Sequence, residues 1–162
     1  MQLSNPSLVA VATGIVGSAW ASGAIASATF MGASAAAAVP ETAARTWLEL
    51  YSRGANIMPK VAAVTSLFLS YSAYEARRQS GKWKGYVLAV VSVMAIVPWT
   101  LIAMKRTNAS LTTQAQAGPA ANKEKVTALI RKWNALNLVR SSFPLLGTVF
   151  ALRTFLSNVI VV

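Results

Sequence analysis

The first forty residues carry no charged side chain, and this feature constrains the fold more than any other in the sequence. Residues 8–38 form an unbroken run of apolar and small side chains. At 1.5 Å per helical residue, such a run is long enough to cross about 30 Å of hydrocarbon. A cleaved signal peptide would instead have a basic segment followed by a shorter apolar core. The sequence therefore predicts a retained membrane span.

Three later segments, at residues 58–74, 85–104 and 138–162, are also apolar enough to cross a bilayer. The mean hydropathy of +0.50 and the charged fraction of 12% agree with a chain embedded in lipid. We therefore predict an all-α integral membrane protein, a four-helix bundle that forms a single membrane domain over residues 1–162.

Small residues and prolines predict details of that bundle. Gly14, Ser18 and Ser22 recur at every fourth position of the first span, which would let another span, or a second copy of the chain, approach closely. Pro40 ends the first apolar run, and we predict a short interfacial helix between spans one and two, with its aromatic rings at headgroup level. A lid over a membrane-level pocket is the alternative. Pro98 predicts a kink near the end of the third span, because proline removes a backbone hydrogen bond.

The net charge of +11 comes from 15 Lys and Arg against 4 Asp and Glu. The basic residues cluster between apolar runs, which indicates loops that face anionic lipid and disfavours a nucleic-acid-binding surface. The loops after spans one and three carry more Lys and Arg than the turn between spans two and three, so these loops are expected in the cytosol. The glycosylation sequon at Asn108 would be used only in the opposite orientation.

Cysteine and histidine are both absent, which removes thiolate chemistry and the commonest general base. The four acidic residues, Glu41, Glu49, Glu75 and Glu124, lie outside the predicted spans. A proton-coupled exporter normally needs a buried carboxylate, so that class of protein is disfavoured. The sequence shows no metal-ligand cluster, glycine-rich phosphate loop or nucleophile–base pair. What remains is the chemistry of cations and amides at the membrane boundary.

The helix that leads into the fourth span carries the strongest candidate site. Trp133, Asn137, Arg140 and Pro144 lie at i, i+4, i+7 and i+11, which is one helical face. A purely structural membrane helix does not need an aromatic ring, an amide and a permanent cation on one face where its apolar segment begins. Arg140 taken alone could equally snorkel to the lipid headgroups.

The end of the third span offers a second polar face. Thr100, Met104, Asn108 and Leu111 fall on one side if the helix continues past Pro98. We predict that this face and the Arg140 face border one pocket at the membrane boundary. A helix C-cap is the alternative role for Asn108.

In this order and context, these residues resemble the anthrone oxygenase family, small four-span membrane proteins of polyketide pathways. The motifs are Pro98-x-Thr100, Thr107-Asn108-x-x-Leu111, Trp133-x-x-Leu136-Asn137-x-x-Arg140 and, upstream of them, Trp47…Tyr51…Gly54…Pro59. The resemblance covers nearly the whole chain, including its size and the spacing of its spans.

The resemblance implies a membrane-bound monooxygenase that converts a polyketide anthrone to the corresponding anthraquinone, with molecular oxygen as co-substrate. It implies no metal and no organic cofactor, which agrees with the absent histidine and cysteine. The anthrone methylene lies between two aromatic rings and is conjugated to a ketone, so its anion is a stabilised, electron-rich phenolate that can reduce oxygen. The protein would supply an apolar slot, a cation and a proton acceptor.

For that chemistry the predicted catalytic residues are Arg140, Asn137 and Asn108. Arg140 would stabilise the phenolate and the developing peroxide, and the two amides would hydrogen-bond the ketone or hydroxyl groups. The predicted substrate-binding residues are Trp133, Thr100, Trp47 and Tyr51. The candidates for the proton acceptor are Glu75, Tyr51, Tyr71, Lys105 and solvent.

The expected partners are a planar aromatic polyketide, the lipid bilayer and other enzymes of the same pathway, in an endomembrane such as the endoplasmic reticulum. Nucleic acid is not an expected partner. The alternative function is a non-catalytic four-span scaffold, or a carrier for a hydrophobic polyketide.

Overall fold

A computed structural model describes residues 5–159 of the chain, and within that range all regular elements are helical, as predicted. The last residues of the predicted fourth span, 160–162, lie outside the described residues. The elements in order are α1 (Asn5–Ser27), a π-helical segment (Ala28–Ala33), α2 (Ser34–Ala37), α3 (Ala43–Arg78), α4 (Lys84–Met94), α5 (Ile96–Ile102), α6 (Lys105–Gln116), a 3₁₀ turn (Gly118–Ala120) and α7 (Lys123–Val159).

Four long helical segments pack side by side and alternate in direction. They are the stretch from α1 to α2, then α3, then α4 with α5, and finally α7. Close contacts join Gly14 to Leu69 and Gly32 to Leu50, so the residue number on α3 falls as that on the first segment rises. Gly85 on α4 likewise meets Thr154 on α7, and Val93 on α4 meets Gly147 on α7, so the residue number on α7 falls as that on α4 rises. Each neighbouring pair with such contacts is therefore antiparallel.

The small-residue stripe of the first helix faces the inside of the bundle. The Ser18 hydroxyl donates to the Pro144 carbonyl at 2.6 Å, and the Ser22 hydroxyl donates to the Ser141 carbonyl at 2.8 Å. A Cβ on Gly14 would come within 2.7 Å of the Leu69 side chain. The stripe thus serves close packing within the chain, which was one of the two predicted uses.

Within the described residues, three helical stretches are long and apolar enough to cross a membrane: Ser7–Ala37, Lys84–Ile102 and Lys123–Val159. They correspond to the predicted first, third and fourth spans. The predicted second span, residues 58–74, lies within α3, which is not among the three.

The predicted short interfacial helix is not a separate element. Residues from Ala43 to Arg78 form one continuous helix of 36 residues, with Pro59 inside it. Proline removes a single hydrogen bond, and packing against neighbouring helices allows a long helix to continue past it. Trp47, one of the aromatic residues of this segment, has a completely buried side chain and therefore packs inside the protein.

The predicted kink near Pro98 is confirmed, one turn before the proline itself. Helix α4 ends at Met94 and α5 begins at Ile96. Met94 is the residue whose carbonyl would accept the N–H that Pro98 lacks, and the proline ring also crowds that carbonyl. The helix is therefore interrupted there, and its last two turns, α5, pack beside α7.

The two longest helices extend beyond a bilayer. At 1.5 Å per residue, the 37 residues of α7 are about 55 Å long, against about 30 Å of hydrocarbon. Helix α6 packs on α3 and α7 at one end of the bundle. The buried residues there, named here the cap cluster, are Ala33, Ala43, Ala44, Trp47, Met104, Leu111, Val126, Ile130 and Trp133.

Trp133 is the residue whose truncation should destabilise the cap cluster most. Its side chain is 1% exposed and its ring meets Trp47 edge-on, with centroids 6.0 Å apart. Trp133→Ala is expected to lower the unfolding free energy by about 3–5 kcal/mol, because it opens a large cavity in a packed core. The measurement is denaturation of the purified protein in one detergent.

The matched control for this test is Trp20→Ala, on the outer surface of α1, where the side chain is 54% exposed. The change there is expected to stay within about 0.5 kcal/mol. An equal loss of stability in the two variants would contradict the burial of Trp133.

Candidate functional site

A cavity of about 160 Å³ lies between α3, α5 and α7, where the membrane-crossing part of the bundle meets the cap. Its lining is almost entirely apolar or small, with Arg140 as the one charged residue. The lining residues are Tyr51, Gly54, Ala55, Met58, Pro59, Ile96, Val97, Thr100, Leu101 and Arg140. We refer to this space as the Arg140 cavity.

Arg140 is partly buried and has spare hydrogen-bonding capacity. One terminal nitrogen, Nη1, donates to the Thr100 hydroxyl oxygen at 3.1 Å. The Nε–H group is buried and has no partner among the described residues. The ion pairs between described residues use Arg53, Arg78 and Lys123, so Arg140 is not neutralised by a carboxylate. A guanidinium has five N–H donors, so several remain for an anionic oxygen atom.

Helix α5 is fixed in register with α7 by a residue that the sequence reasoning missed. The Trp99 ring nitrogen donates to the Leu136 carbonyl at 3.1 Å, one turn before Arg140. The Trp99 ring also meets Phe143 edge-on at 5.4 Å. These contacts place the neighbouring Thr100 opposite Arg140. The Thr100 hydroxyl donates to the Ile96 carbonyl at 2.7 Å, so its oxygen is left to accept from Arg140.

An aromatic series runs from the Arg140 cavity into the cap cluster. The rings of Tyr51 and Trp47 are stacked, with centroids 5.1 Å apart and an interplanar angle of 7°. Trp47 then meets Trp133 edge-on. Of these three rings, Tyr51 lines the cavity, whereas Trp47 and Trp133 lie behind it and are buried. The two tryptophans therefore support the position of Tyr51 and do not border the cavity.

Asn137 faces away from Arg140, toward the first helical segment. Its amide nitrogen donates to the Ile25 carbonyl and to the Thr29 hydroxyl, both at 2.8 Å. Those two acceptors flank the start of the π-helical segment, where the α-helical i→i−4 bonding pattern changes. Asn137 thus connects α7 by hydrogen bonds to the point where the first helical segment becomes π-helical. Its side chain is completely buried.

Asn108 lies on α6, on the same buried face as Met104 and Leu111, as the spacing predicted. Its Oδ1 atom is buried and has no partner among the described residues. It lies six residues beyond Ile102, where α5 ends, and does not line the Arg140 cavity. The structure therefore brings together Arg140, Thr100 and Tyr51, and places Asn108, Asn137, Trp47 and Trp133 in the adjoining core.

The predicted proton acceptors are spread over the molecule. Tyr51 lines the Arg140 cavity, whereas Tyr71 and Lys105 are exposed elsewhere. Glu75 accepts hydrogen bonds from Arg78 at 2.6 Å and from Gln79 at 2.8 Å. The Arg78 guanidinium, followed by the Gln79 amide, holds the pKa of the Glu75 carboxyl below its usual value, which makes this carboxylate a weaker base.

The wall that α3 contributes to the cavity contains Gly54, which the sequence reasoning did not single out as a site residue. A Cβ at Gly54 would meet no atom within 4 Å. Its signal in the sequence was its place in the Trp47…Tyr51…Gly54…Pro59 segment.

Across the part of the chain that the structure describes, no group of three or more His, Cys, Asp or Glu is placed to hold a metal ion.

Two larger cavities lie at the ends of the bundle. One, of about 590 Å³, lies beside the exposed Glu41–Lys123 ion pair, whose Nζ–Oε1 distance is 2.8 Å. Lys123 lowers the pKa of Glu41 by this hydrogen bond. The other, of about 570 Å³, lies where α3 turns into α4. Both are lined by more exposed, polar residues than the Arg140 cavity is.

The fold and the Arg140 cavity define a class: a helical membrane protein that presents a partly buried, unneutralised cation to an apolar cavity, as the binding of a hydrophobic anion requires. Within that class, the chain belongs to the anthrone oxygenase family, whose sequence profile matches residues 47–150. The family membership predicted from the motifs is thereby confirmed.

Several relatives carry the family name. Anthrone oxygenase tpcL of Aspergillus fumigatus is 36% identical over 107 residues, which cover 66% of this chain and 66% of that protein. Anthrone oxygenase gedH of Aspergillus terreus is 37% identical over 111 residues, 68% of this chain and 73% of the relative. Anthrone oxygenase ptaC of Pestalotiopsis fici is 36% identical over 121 residues, 70% and 84% respectively. No solved structure matches the chain.

The family match distinguishes among the three cavities. The Arg140 cavity is lined by residues between Tyr51 and Arg140, all inside the matched range 47–150. The cavity at the α3–α4 turn includes Arg153 and Ser157, beyond that range, and the third includes Pro40, before it. Of these three cavities, the Arg140 cavity alone lies wholly within the matched range.

Proposed function

We propose that this protein oxidises a polyketide anthrone to the corresponding anthraquinone with molecular oxygen, in the Arg140 cavity. The observation that carries the proposal is Arg140, which lines an apolar cavity and has no carboxylate partner among the described residues. The family membership gives the reaction class, since relatives are named anthrone oxygenases and one is named noranthrone monooxygenase.

The reaction needs no group beyond the substrate, oxygen and proton carriers. Loss of one methylene proton gives the aromatic phenolate anion of the anthrone. This anion passes one electron to oxygen, and the resulting radical and superoxide combine to form a C–O bond. Protonation gives a hydroperoxide. Loss of the second methylene proton, with cleavage of the O–O bond, then forms the new carbonyl and releases water, so that one oxygen molecule is consumed for each quinone.

Arg140 has the chemistry that the first and third steps require. Its positive charge would stabilise the phenolate oxygen and then the peroxide oxygen. Both anions would form inside an apolar cavity, where little else compensates their charge. Thr100 accepts from Nη1 and so holds one end of the guanidinium, and the other terminal N–H groups would be the donors to the substrate oxygen. A cation already oriented in this way needs little reorganisation when the negative charge develops.

Tyr51 is the proton carrier that we propose for the methylene proton. Among the candidate acceptors it is the one that lines the Arg140 cavity. Its ring is held in place by stacking on the buried Trp47. Its hydroxyl would relay protons between the substrate, solvent and the peroxide.

The substrate would enter from the side of the bundle. The cavity of about 160 Å³ is smaller than the 300–1,000 Å³ typical of ligand pockets, so α3 and α5 must separate to admit a tricyclic molecule. Ala55, Pro59 and Leu101 form part of the lining and are also exposed on the outer surface. A hydrophobic anthrone dissolved in the bilayer would meet this wall directly.

Filling the cavity at Gly54 tests where the substrate binds. Gly54→Leu is expected to lower kcat/KM for the anthrone by at least about tenfold. A mismatch in volume of even one methylene group between a substrate and its pocket typically lowers kcat/KM by that factor. The unfolding free energy should not fall, since a Cβ at Gly54 meets no atom within 4 Å and a helix interior disfavours glycine.

The control for Gly54→Leu is Gly23→Leu, on the exposed side of α1, where a Cβ also meets no atom within 4 Å. Its kinetic constants should equal those of the wild type. Unchanged kcat/KM in Gly54→Leu would place the substrate outside the Arg140 cavity.

We further propose that α3 is the fourth crossing helix. It runs antiparallel beside α1 over most of its length, and Val64, Leu67 and Tyr74 are exposed on its outer face, as expected of a helix in contact with lipid. The proposal extends to oxidation without a metal or organic cofactor, to association with other enzymes of the pathway, and to residence in an endomembrane such as the endoplasmic reticulum.

The proposed function is tested on membranes that contain the protein and on matched membranes that lack it. With an anthrone and air, the first should form quinone faster than the second, and the added rate should vanish under argon. No nucleotide or metal is supplied, and a chelator is present. Equal rates in the two membranes would contradict an enzymatic role and would favour a scaffold or a carrier.

A further inference from the structure

The cavity of about 570 Å³ lies at the opposite end of the bundle from the cap and has a lining of a different kind. It forms where the turn between α3 and α4 meets the last turns of α7. Its lining residues are Gly81, Lys82, Trp83, Lys84, Gly85, Leu88, Phe150, Arg153, Thr154 and Ser157. We refer to it as the basic cavity.

Three cations border the basic cavity, and no carboxylate does. Lys82, Lys84 and Arg153 all line it, and all three are exposed. The ion pairs between described residues involve other cations, so none of these three is neutralised by an acidic side chain. Like charges that line one cavity repel one another, and an anion between them relieves that repulsion. The basic cavity thus has the charge of an anion-binding site.

The backbone of the basic cavity is fixed by two contacts with α7. The Lys82 N–H donates to Asn158 Oδ1 at 2.8 Å, and Asn158 Nδ2 donates to the Lys82 carbonyl at 2.8 Å. One turn earlier on α7, Thr154 packs so closely on Gly85 that a Cβ there would lie 1.8 Å from the Thr154 hydroxyl. The start of α4 is therefore held against α7, which brings the three cations to one place.

The remaining walls of the cavity are apolar and lead toward the middle of the bilayer. Leu88 and Phe150 line it one turn inward from the cations. The membrane-crossing stretch Lys84–Ile102 begins at this level, so the cations lie at the headgroup boundary. Trp83, with Arg77 5.3 Å above its ring, is the aromatic residue typical of that boundary.

We propose that the basic cavity binds an anionic phospholipid, with its phosphate between Lys82, Lys84 and Arg153 and an acyl chain along Leu88 and Phe150. A free inorganic anion would use the three cations but not the apolar wall, which is why a lipid fits better. The cavity is separate from the proposed oxidation site, because Lys84 and Thr100 are about 24 Å apart along the α4–α5 segment at 1.5 Å per residue. It therefore does not depend on the proposed function.

The test is competitive lipid retention, measured by native mass spectrometry on the full chain in a neutral detergent. The probes are phosphatidylglycerol and phosphatidylcholine with identical acyl chains, at equal concentration. Phosphatidylglycerol should be retained at least about tenfold more, because each cation at the headgroup level adds to the preference for an anionic lipid. Equal retention of the two lipids would overturn the proposal.

The triple variant Lys82→Gln, Lys84→Gln, Arg153→Gln should lose this preference. The matched control is Arg106→Gln, Lys125→Gln, Lys132→Gln, which removes the same charge from exposed positions elsewhere and should keep it. Thermal unfolding is recorded for both, and Arg153→Gln alone, with an expected partial loss, replaces the first triple variant if that one does not fold. Equal losses in the two triple variants would overturn the proposal, as would full displacement of phosphatidylglycerol by inorganic phosphate.

Discussion

Arg140→Met is expected to lower kcat for anthrone oxidation by about 10²–10³-fold, the usual loss when a preorganised donor to a developing oxyanion is removed. Methionine keeps much of the length and apolar character of the side chain, so the cavity wall stays filled. The Thr100 hydroxyl loses a donor but keeps its bond to Ile96 at 2.7 Å. The effect should therefore appear in kcat and not in the unfolding free energy, and steady-state kinetics in one detergent measure it.

Two controls accompany this variant. Arg106→Met removes an exposed cation from α6, outside the Arg140 cavity, and should leave kcat unchanged. Arg140→Lys keeps the charge but not the forked donor geometry, and should lose less activity than Arg140→Met. Undiminished kcat in a folded Arg140→Met protein would remove Arg140 from the mechanism without affecting the family membership.

Tyr51→Phe is the second large effect, with an expected loss of about 10²-fold in kcat. General acid–base groups contribute typically 10²–10⁴-fold, and the lower end applies here because an anthrone also enolises in water. Phenylalanine keeps the ring that stacks on Trp47 at 5.1 Å, so the stability of the cap cluster should be preserved. The loss should be smaller at higher pH, where hydroxide replaces the missing base, and a pH–rate profile of both proteins measures this.

Tyr71→Phe provides the comparison for this variant. Tyr71 lies on the same helix and was an equal candidate for the proton acceptor, but its side chain is 42% exposed on the outside of the bundle. It should behave as the wild type. A profile in which Tyr71→Phe is impaired and Tyr51→Phe is not would move the proton transfer out of the Arg140 cavity.

Much of the fold could be predicted because the controlling signals are local. The charge-free first segment, the buried small-residue face at Gly14, Ser18 and Ser22, and the break ahead of Pro98 all follow from composition and backbone chemistry. The start of the last helix is local too, since the Asn122 side-chain oxygen accepts from the Lys125 N–H at 2.9 Å, as a helix N-cap does. Each of these features depends on residues within a few turns of one another.

The interfacial helix failed as a prediction for a physical reason. A proline and a glycine near each other in a polar segment usually end a helix, but α3 packs against both α1 and α4 and continues past them. The π-helical segment was also missed, and the side chain that bonds to its start, Asn137, is 112 residues away from Ile25. Such contacts are set by tertiary packing between distant segments, which the pattern of residues within one helix does not reveal.

The candidate site was predicted in part. Arg140, Thr100 and Tyr51 came from three different motifs, and the structure brings these three to one cavity. Asn137 and Trp133 share one face of α7, and Arg140 lies at the edge of that face. A residue at the edge contacts a different neighbouring helix, so Arg140 bonds to α5 while Asn137 bonds to the first helical segment. Helical spacing identifies which residues are near each other along α7, whereas the partner of each one depends on where α3 and α5 pack.

The most direct test of the central claim is the fate of isotopic oxygen. Purified protein is given an anthrone under ¹⁸O₂ in ordinary water, and the quinone is analysed by mass spectrometry within one half-life of the reaction. Oxidation through a peroxide in the Arg140 cavity predicts that the quinone carries one ¹⁸O atom. The wild-type protein should also form this quinone about 10²–10³-fold faster than Arg140→Met does. Quinone formed at the wild-type rate with oxygen from water, or at equal rates by the two proteins, would contradict it.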